Sequence, residues 1–153
     1  MTRAIARHCG SRPRVVIHRS APDRSSLWEA QLLRLRSRQR VFAREISLEI
    51  DSQAVLNARS ITPLGGSIES RLRGLGNMPL AELLFADPLW KRLTGPIVLA
   101  GRHGLSPPGR VCIWRYHGRH PGNLLVAEYF LPELLTQPRA SRGTHSMYME
   151  PPG

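Results

Sequence analysis

The sequence predicts an α+β fold, an antiparallel β-sheet with helices packed on it, and three observations carry that expectation. Residues 41–61 alternate apolar and polar positions as paired strands do. Residues 67–85 repeat apolar positions at helical spacing. Two further β-like runs follow, giving the order strand, strand, helices, strand, strand.

In residues 41–50, Ile46, Leu48 and Ile50 alternate with Glu45, Ser47 and Glu49, the pattern of a strand with one wet face. Asp51, Ser52 and Gln53 make a turn into a second strand, residues 54–61, where Val55, Asn57, Arg59 and Ile61 share a face. After Thr62-Pro63-Leu64-Gly65-Gly66, Ser67 is placed to cap a helix whose Ile68, Leu72 and Leu75 fall at i, i+4 and i+7, and Gly76 to stop it. Pro79 opens a second short helix through Phe85, where its missing N–H is harmless. A Pro- and Gly-rich connection covers residues 95–109. Residues 111–116 and 124–131 are two further strands, the last apolar on both faces and so central in the sheet.

Three segments result. Residues 1–40 are expected to be an Arg-rich leader, largely disordered, with a short helix at 27–38 opened by a capping box of Ser26 and Glu29. Residues 41–135 form the domain, and residues 136–153 a disordered tail. Hydrophobic residues are 41% and charged residues 22%, which excludes collagen-like, coiled-coil and wholly disordered classes. No apolar run approaches the roughly 18 to 20 residues of a membrane helix. Cys9 and Cys112 form no CxxC pair, so a cytoplasmic protein is expected, and a monomer.

The net charge of +11 sits almost entirely in residues 1–44, where 11 Arg face only Asp23 and Glu29. Lys91 is the sole lysine, so the bias reads as composition rather than as a nucleic-acid surface, and neither nucleic acid nor membrane is expected as a partner. Glu128 is the unusual residue, since it interrupts Leu124, Val126 and Phe130 on one face of an apolar strand. A buried carboxylate needs a partner, and it is also what proton transfer near neutral pH uses. An ion pair with an Arg of a neighbouring strand and a catalytic role are equally open on these grounds. Arg59 is a candidate partner or ligand anchor, because a guanidinium on a sheet face can hold a carboxylate through two parallel hydrogen bonds. Cys112, His117 and His120 lack a fourth ligand, and no phosphate loop, nucleophile elbow or HExxH occurs, so no metal or cofactor is expected.

Residues 75–88, Leu-Gly-Asn-Met-Pro-Leu-Ala-Glu-Leu-Leu-Phe-Ala-Asp-Pro, resemble the bacterial chorismate lyases. Three more segments agree in order: Ala43-Arg44-Glu45-Ile46-Ser47-Leu48, Ala58-Arg59-Ser60 and Ala127-Glu128-Tyr129-Phe130-Leu131-Pro132. The resemblance implies a chorismate lyase-like fold and elimination of pyruvate from chorismate to give 4-hydroxybenzoate for ubiquinone synthesis, without metal or cofactor. It implies Arg59 as the group binding the ring carboxylate, a main-chain group of Leu80 on the same carboxylate, and Glu128 as the catalytic acid–base at the 4-position oxygen. Residues 1–40 are expected to hold no counterpart of the family's N-terminal region, as in a truncated or frame-shifted chain, leaving a sheet edge exposed and activity impaired. The competing expectation is a non-catalytic effector-sensing domain of the same fold that binds small aromatic acids; 40 preceding residues are too few for the winged helix that usually accompanies one.

Overall fold

The computed structural model describes residues 5, 7, 9–99 and 107–136. Among these, β1 (Arg14–Arg24), β2 (Arg40–Ile50), β3 (Gln53–Pro63), β4 (Trp90–Arg92), β5 (Ile97–Leu99), β6 (Gly109–Tyr116) and β7 (Gly122–Phe130) form one antiparallel sheet. The strand order is β1-β2-β3-β7-β6-β4, with β5 paired to the other end of β6. β2 and β3 turn through Asp51 and Ser52, both at positive φ (51° and 63°), as a tight hairpin between right-twisted strands requires. β7 is central, as its two apolar faces predict.

Both faces of the sheet are covered. Alternation sends Phe42, Leu124, Val126 and Trp114 to one side, where Ile68 and Leu72 of α2 (Ser67–Arg73) and Leu80 and Leu84 of α3 (Leu80–Ala86) pack on them. Val41, Ala43, Ile61, Leu125 and Ala127 point the other way and receive Leu33 of α1 (Leu27–Leu33), flanked by Trp28 and Leu32. A last turn, α4 (Glu133–Thr136), sets Leu134 against the core under Ile46, Leu48 and Val55.

The expected disordered leader is corrected here: residues 14–24 are a full edge strand, and β1 continues the sheet across the boundary placed at residue 40. Its register shifts between Ile17 and Arg19, and such a bulge breaks the period of two that marks a strand. The strand is also wet. Its Arg, His and Pro residues suit a sheet edge, where charge and a missing N–H discourage further pairing. At the bulge His18 Nε2 lies 2.6 Å from Ser47 Oγ, and that hydroxyl donates to Asn57 Oδ1 at 2.8 Å, tying three strands together.

The capping box is present. Ser26 N donates to Glu29 Oε2 at 2.8 Å, and Ser26 Oγ accepts from Glu29 N at 3.4 Å. α1 stops at Leu33 rather than at 38, because Arg34 turns left-handed with φ 55°. Ser26→Ala is expected to lower stability by about 1 kcal/mol, read from the urea midpoint. Ser67 does not cap α2: it is that helix's first residue and its Oγ donates to His120 O at 2.7 Å. Of the three-residue strands, β4 falls where no element was assigned and β5 inside the expected Pro- and Gly-rich connection; too short for a visible alternation, they are held by pairing to β6. Residues 100–106 and the expected tail from 137 onward lie outside the described residues.

Candidate active site

Register fixes which side chains meet under α3. Across the sheet, Arg44, Ser60, Val126 and Cys112 are successive Cα partners, and so are Ile46, Ala58, Glu128 and Arg110. These two rows face the helical layer and, with Leu80 and Trp114, line a cavity of about 90 Å³. Strand spacing puts the Arg44 and Glu128 Cα atoms roughly 12 Å apart. Two inward-pointing side chains at that separation can grip opposite ends of a small ring.

Arg44 is 2% exposed. Its Nη2 donates to the carbonyls of Gly76 and Met78, each at 3.0 Å, in the turn that joins α2 to α3. No described carboxylate neutralises it, and burial draws its guanidinium below the ordinary value. Gly76 can present its carbonyl there because the turn takes φ 54° at that residue. Leu80 opens α3 directly after Pro79, so its N–H belongs to the first turn and has no intrahelical acceptor. Glu128 has a 16%-exposed side chain, and its Oε2 accepts from Arg110 Nε at 2.7 Å. Of the two expectations for Glu128, the ion pair across strands is present, and the same side chain also lines the cavity.

Gly109 is what allows the approach of β6 to β7 at this point. A Cβ there would lie 2.3 Å from Glu128 O and 3.0 Å from the Tyr129 ring. Gly109→Ala is expected to force the strands apart, lowering stability by about 1–3 kcal/mol in denaturant melts.

Arg59 is not in this cavity. The structure corrects that assignment: Arg59 is the Cα partner of Ala127, one residue out of phase with Glu128, and adjacent residues of a strand point to opposite faces. Under α1 it forms a four-charge cluster. Its Nε and Nη2 reach Glu29 Oε1 and Oε2 at 2.6 and 3.2 Å, and its Nη1 reaches Asp23 Oδ2 at 3.0 Å and Glu45 Oε1 at 2.7 Å. Burial opposes the charge on Arg59, but the bonds to Glu29, Asp23 and Glu45 outweigh it and hold the guanidinium above its ordinary value. The cluster docks α1 and β1 onto the sheet.

Asp23 gives this cluster a pH dependence. Burial would raise its carboxyl, but the Arg24 N–H and the Arg59 guanidinium prevail and lower it. A carboxyl lowered on folding stabilises the native state above its unfolded value, near 4, and loses that contribution as pH falls through the lower folded value. Asp23→Asn is expected to flatten the stability profile below about pH 4, measured as urea midpoints across the acid range.

The pairing signal for Arg44 was present in the sequence. Arg44 shares its phase with Ile46, Leu48 and Ile50, so a guanidinium stands in the apolar register of a strand; Arg59, in phase with Ile61, stands in one as well, on the opposite covered face.

No family model matches the chain. Relatives do. A Methylococcus capsulatus protein named "probable chorismate pyruvate-lyase" is 34% identical over 160 residues, covering 92% of this chain and 94% of the relative. Proteins of the same name from Marinobacter nauticus and an Azoarcus species are 37% and 34% identical, covering 90% of this chain in each case and 73% and 82% of their own lengths. Such coverage takes in most of residues 1–40, which corrects the expectation that this segment has no counterpart in the family. Among solved structures, the C-terminal domain of the histidine utilization repressor from Pseudomonas syringae pv. tomato superposes with TM-score 0.50 at 17% identity, over 84% of this chain and 96% of that one. A GntR-family transcriptional regulator from Bacillus cereus does so with TM-score 0.50 at 12% identity, over 80% and 94%. These two establish the shared α+β fold and nothing further. With identity above 30% over at least 90% of this chain and 73–94% of the relatives' own lengths, the chain belongs to the chorismate pyruvate-lyase family.

Proposed function

We propose that the cavity under α3 eliminates pyruvate from chorismate and yields 4-hydroxybenzoate, the precursor of the ubiquinone ring, in the cytoplasm. One observation carries the reading: Arg44 is a buried guanidinium with no described carboxylate beside it, facing the cavity into which Glu128 also points. An uncompensated cation in a desolvated site favours an anionic ligand, and family membership names one with a ring carboxylate.

Arg44 and the Leu80 N–H hold the ring carboxylate, and Glu128 sits at the far end beside the 4-hydroxyl. Glu128 carries the proton transfer. The C4 proton leaves, its electron pair forms the C3–C4 π bond, and the C3–oxygen bond breaks to release enolpyruvate, which takes up a proton as pyruvate. Aromatisation of the ring drives the step, so the protein's contribution is orientation, water exclusion and one positioned carboxylate. At about 90 Å³ the cavity is smaller than the roughly 150 Å³ that holds a benzene ring. Substrate entry therefore displaces rim side chains such as Phe85, which is 62% exposed and stacks edge-on against Trp114 with 5.7 Å between centroids.

The test is direct. Purified protein incubated with chorismate should release 4-hydroxybenzoate and pyruvate in equal amounts, followed by absorbance. Binding of aromatic acids without turnover would instead support the effector-sensing alternative.

A further inference from the structure

Charge along the sheet has a second centre that the ring carboxylate does not use. Among the described residues lining the cavity, three are cationic, Arg44, Arg92 and Arg110, and one is anionic, Glu128. The lining is thus net +2. Chorismate carries two carboxylates, one on the ring and one on the enolpyruvyl group, whereas 4-hydroxybenzoate carries one.

The strands place these charges in order. Arg44 is on β2, Glu128 on β7, Arg110 on β6 next to β7, and Arg92 on β4 beyond it. Glu128 therefore stands between Arg44 on one side and two guanidinia on the other. The enolpyruvyl ether is on the ring atom adjacent to the one bearing the 4-hydroxyl, at the end of the ring away from the ring carboxylate. A ring held by Arg44 and Glu128 sends its second carboxylate toward β6 and β4.

Arg110 is poised to receive it. Its Nε donates to Glu128 Oε2 at 2.7 Å, and the side chain is 34% exposed where it lines the cavity. The Nη1–Nη2 edge of the guanidinium, turned from that Nε bond, offers two parallel donors, the geometry that fits a carboxylate. Arg92, the Cα partner of Trp114 farther along β6, lines the same cavity with its guanidinium 5.2 Å from the Trp114 ring centroid in a cation–π contact.

We propose that Arg110, supported by Arg92, is the specificity-determining residue for the enolpyruvyl carboxylate, so that the site distinguishes the dianionic substrate from its monoanionic product. This inference rests on the chorismate reading above. It also gives Arg110 a positioning role, since the same guanidinium fixes Glu128 through Nε. When pyruvate departs, Arg110 loses a ligand that 4-hydroxybenzoate cannot replace.

The experiment compares wild type, R110Q, R110K and R92Q in two measurements: KM and kcat with chorismate, and the dissociation constant of 4-hydroxybenzoate. R110Q should raise KM for chorismate by about 10- to 100-fold while changing 4-hydroxybenzoate affinity by less than about 3-fold. R110K should recover part of the loss because it keeps the charge, and R92Q should shift KM in the same direction by less. Retained product binding is also the check that the variants fold. Equal losses for chorismate and 4-hydroxybenzoate, an unchanged KM in R110Q, or an R110Q protein that no longer binds product would each overturn the proposal. Failure of wild type to turn over chorismate would refute the underlying reading instead, and with it this one.

Discussion

Glu128→Gln is expected to lower kcat for pyruvate elimination by about 10²- to 10⁴-fold, the range that a single positioned proton-transfer group supplies. The amide keeps the size and hydrogen-bonding reach of the carboxylate, and Arg110 Nε can still donate to its oxygen in place of Glu128 Oε2. Binding of 4-hydroxybenzoate should therefore persist within about 10-fold, because the ring carboxylate keeps Arg44 and the Leu80 N–H. Turnover and product titration on the same sample give the comparison. A variant that keeps most of its kcat would remove Glu128 from the chemistry.

Arg59→Met is expected to act on stability, not on ligand affinity. It removes the cation that Glu29, Asp23 and Glu45 share, and leaves Glu29, which is 2% exposed, without its counter-charge. Breaking one partner of a buried pair costs about 3 kcal/mol, or roughly 6–12 °C in Tm for a chain of this size. The Ser26 N–H remains on Glu29 Oε2, so α1 keeps its cap while its docking weakens. Calorimetry on Arg59→Met and on the double variant with Glu29→Gln should show a second loss smaller than the first, since neutralising Glu29 relieves the uncompensated charge.

The legible parts of the fold are those where one period runs unbroken. Ile46, Leu48 and Ile50 marked β2, the two apolar faces of residues 124–130 marked a central strand, and the Pro79-Leu80 start marked α3, all as found. β1 was illegible for a physical reason: a bulge at His18 shifts the alternation, and an edge strand needs few apolar residues. Arg59 shows the corresponding limit for a site. It shares its phase on β3 with Ile61 as expected, while Val55 falls at a register shift and packs in another cluster; nothing local says which of two covered faces carries the cavity when helices pack on both. Glu128 and Leu80 fell in the cavity because their strand and helix have only one register consistent with burial of Leu124 and Val126. Arg110 was hidden by the Pro- and Gly-rich residues before it, which mask the start of β6.

The decisive measurement is the affinity for 4-hydroxybenzoate of Arg44→Gln set beside that of Arg59→Gln, by titration calorimetry at a temperature where both are folded. Arg44→Gln should weaken binding by about 30-fold or more, and Arg59→Gln by less than about 3-fold despite its lower Tm. The reverse order, with affinity lost at Arg59 and kept at Arg44, would put the ligand on the α1 face of the sheet and contradict the site described for this chain.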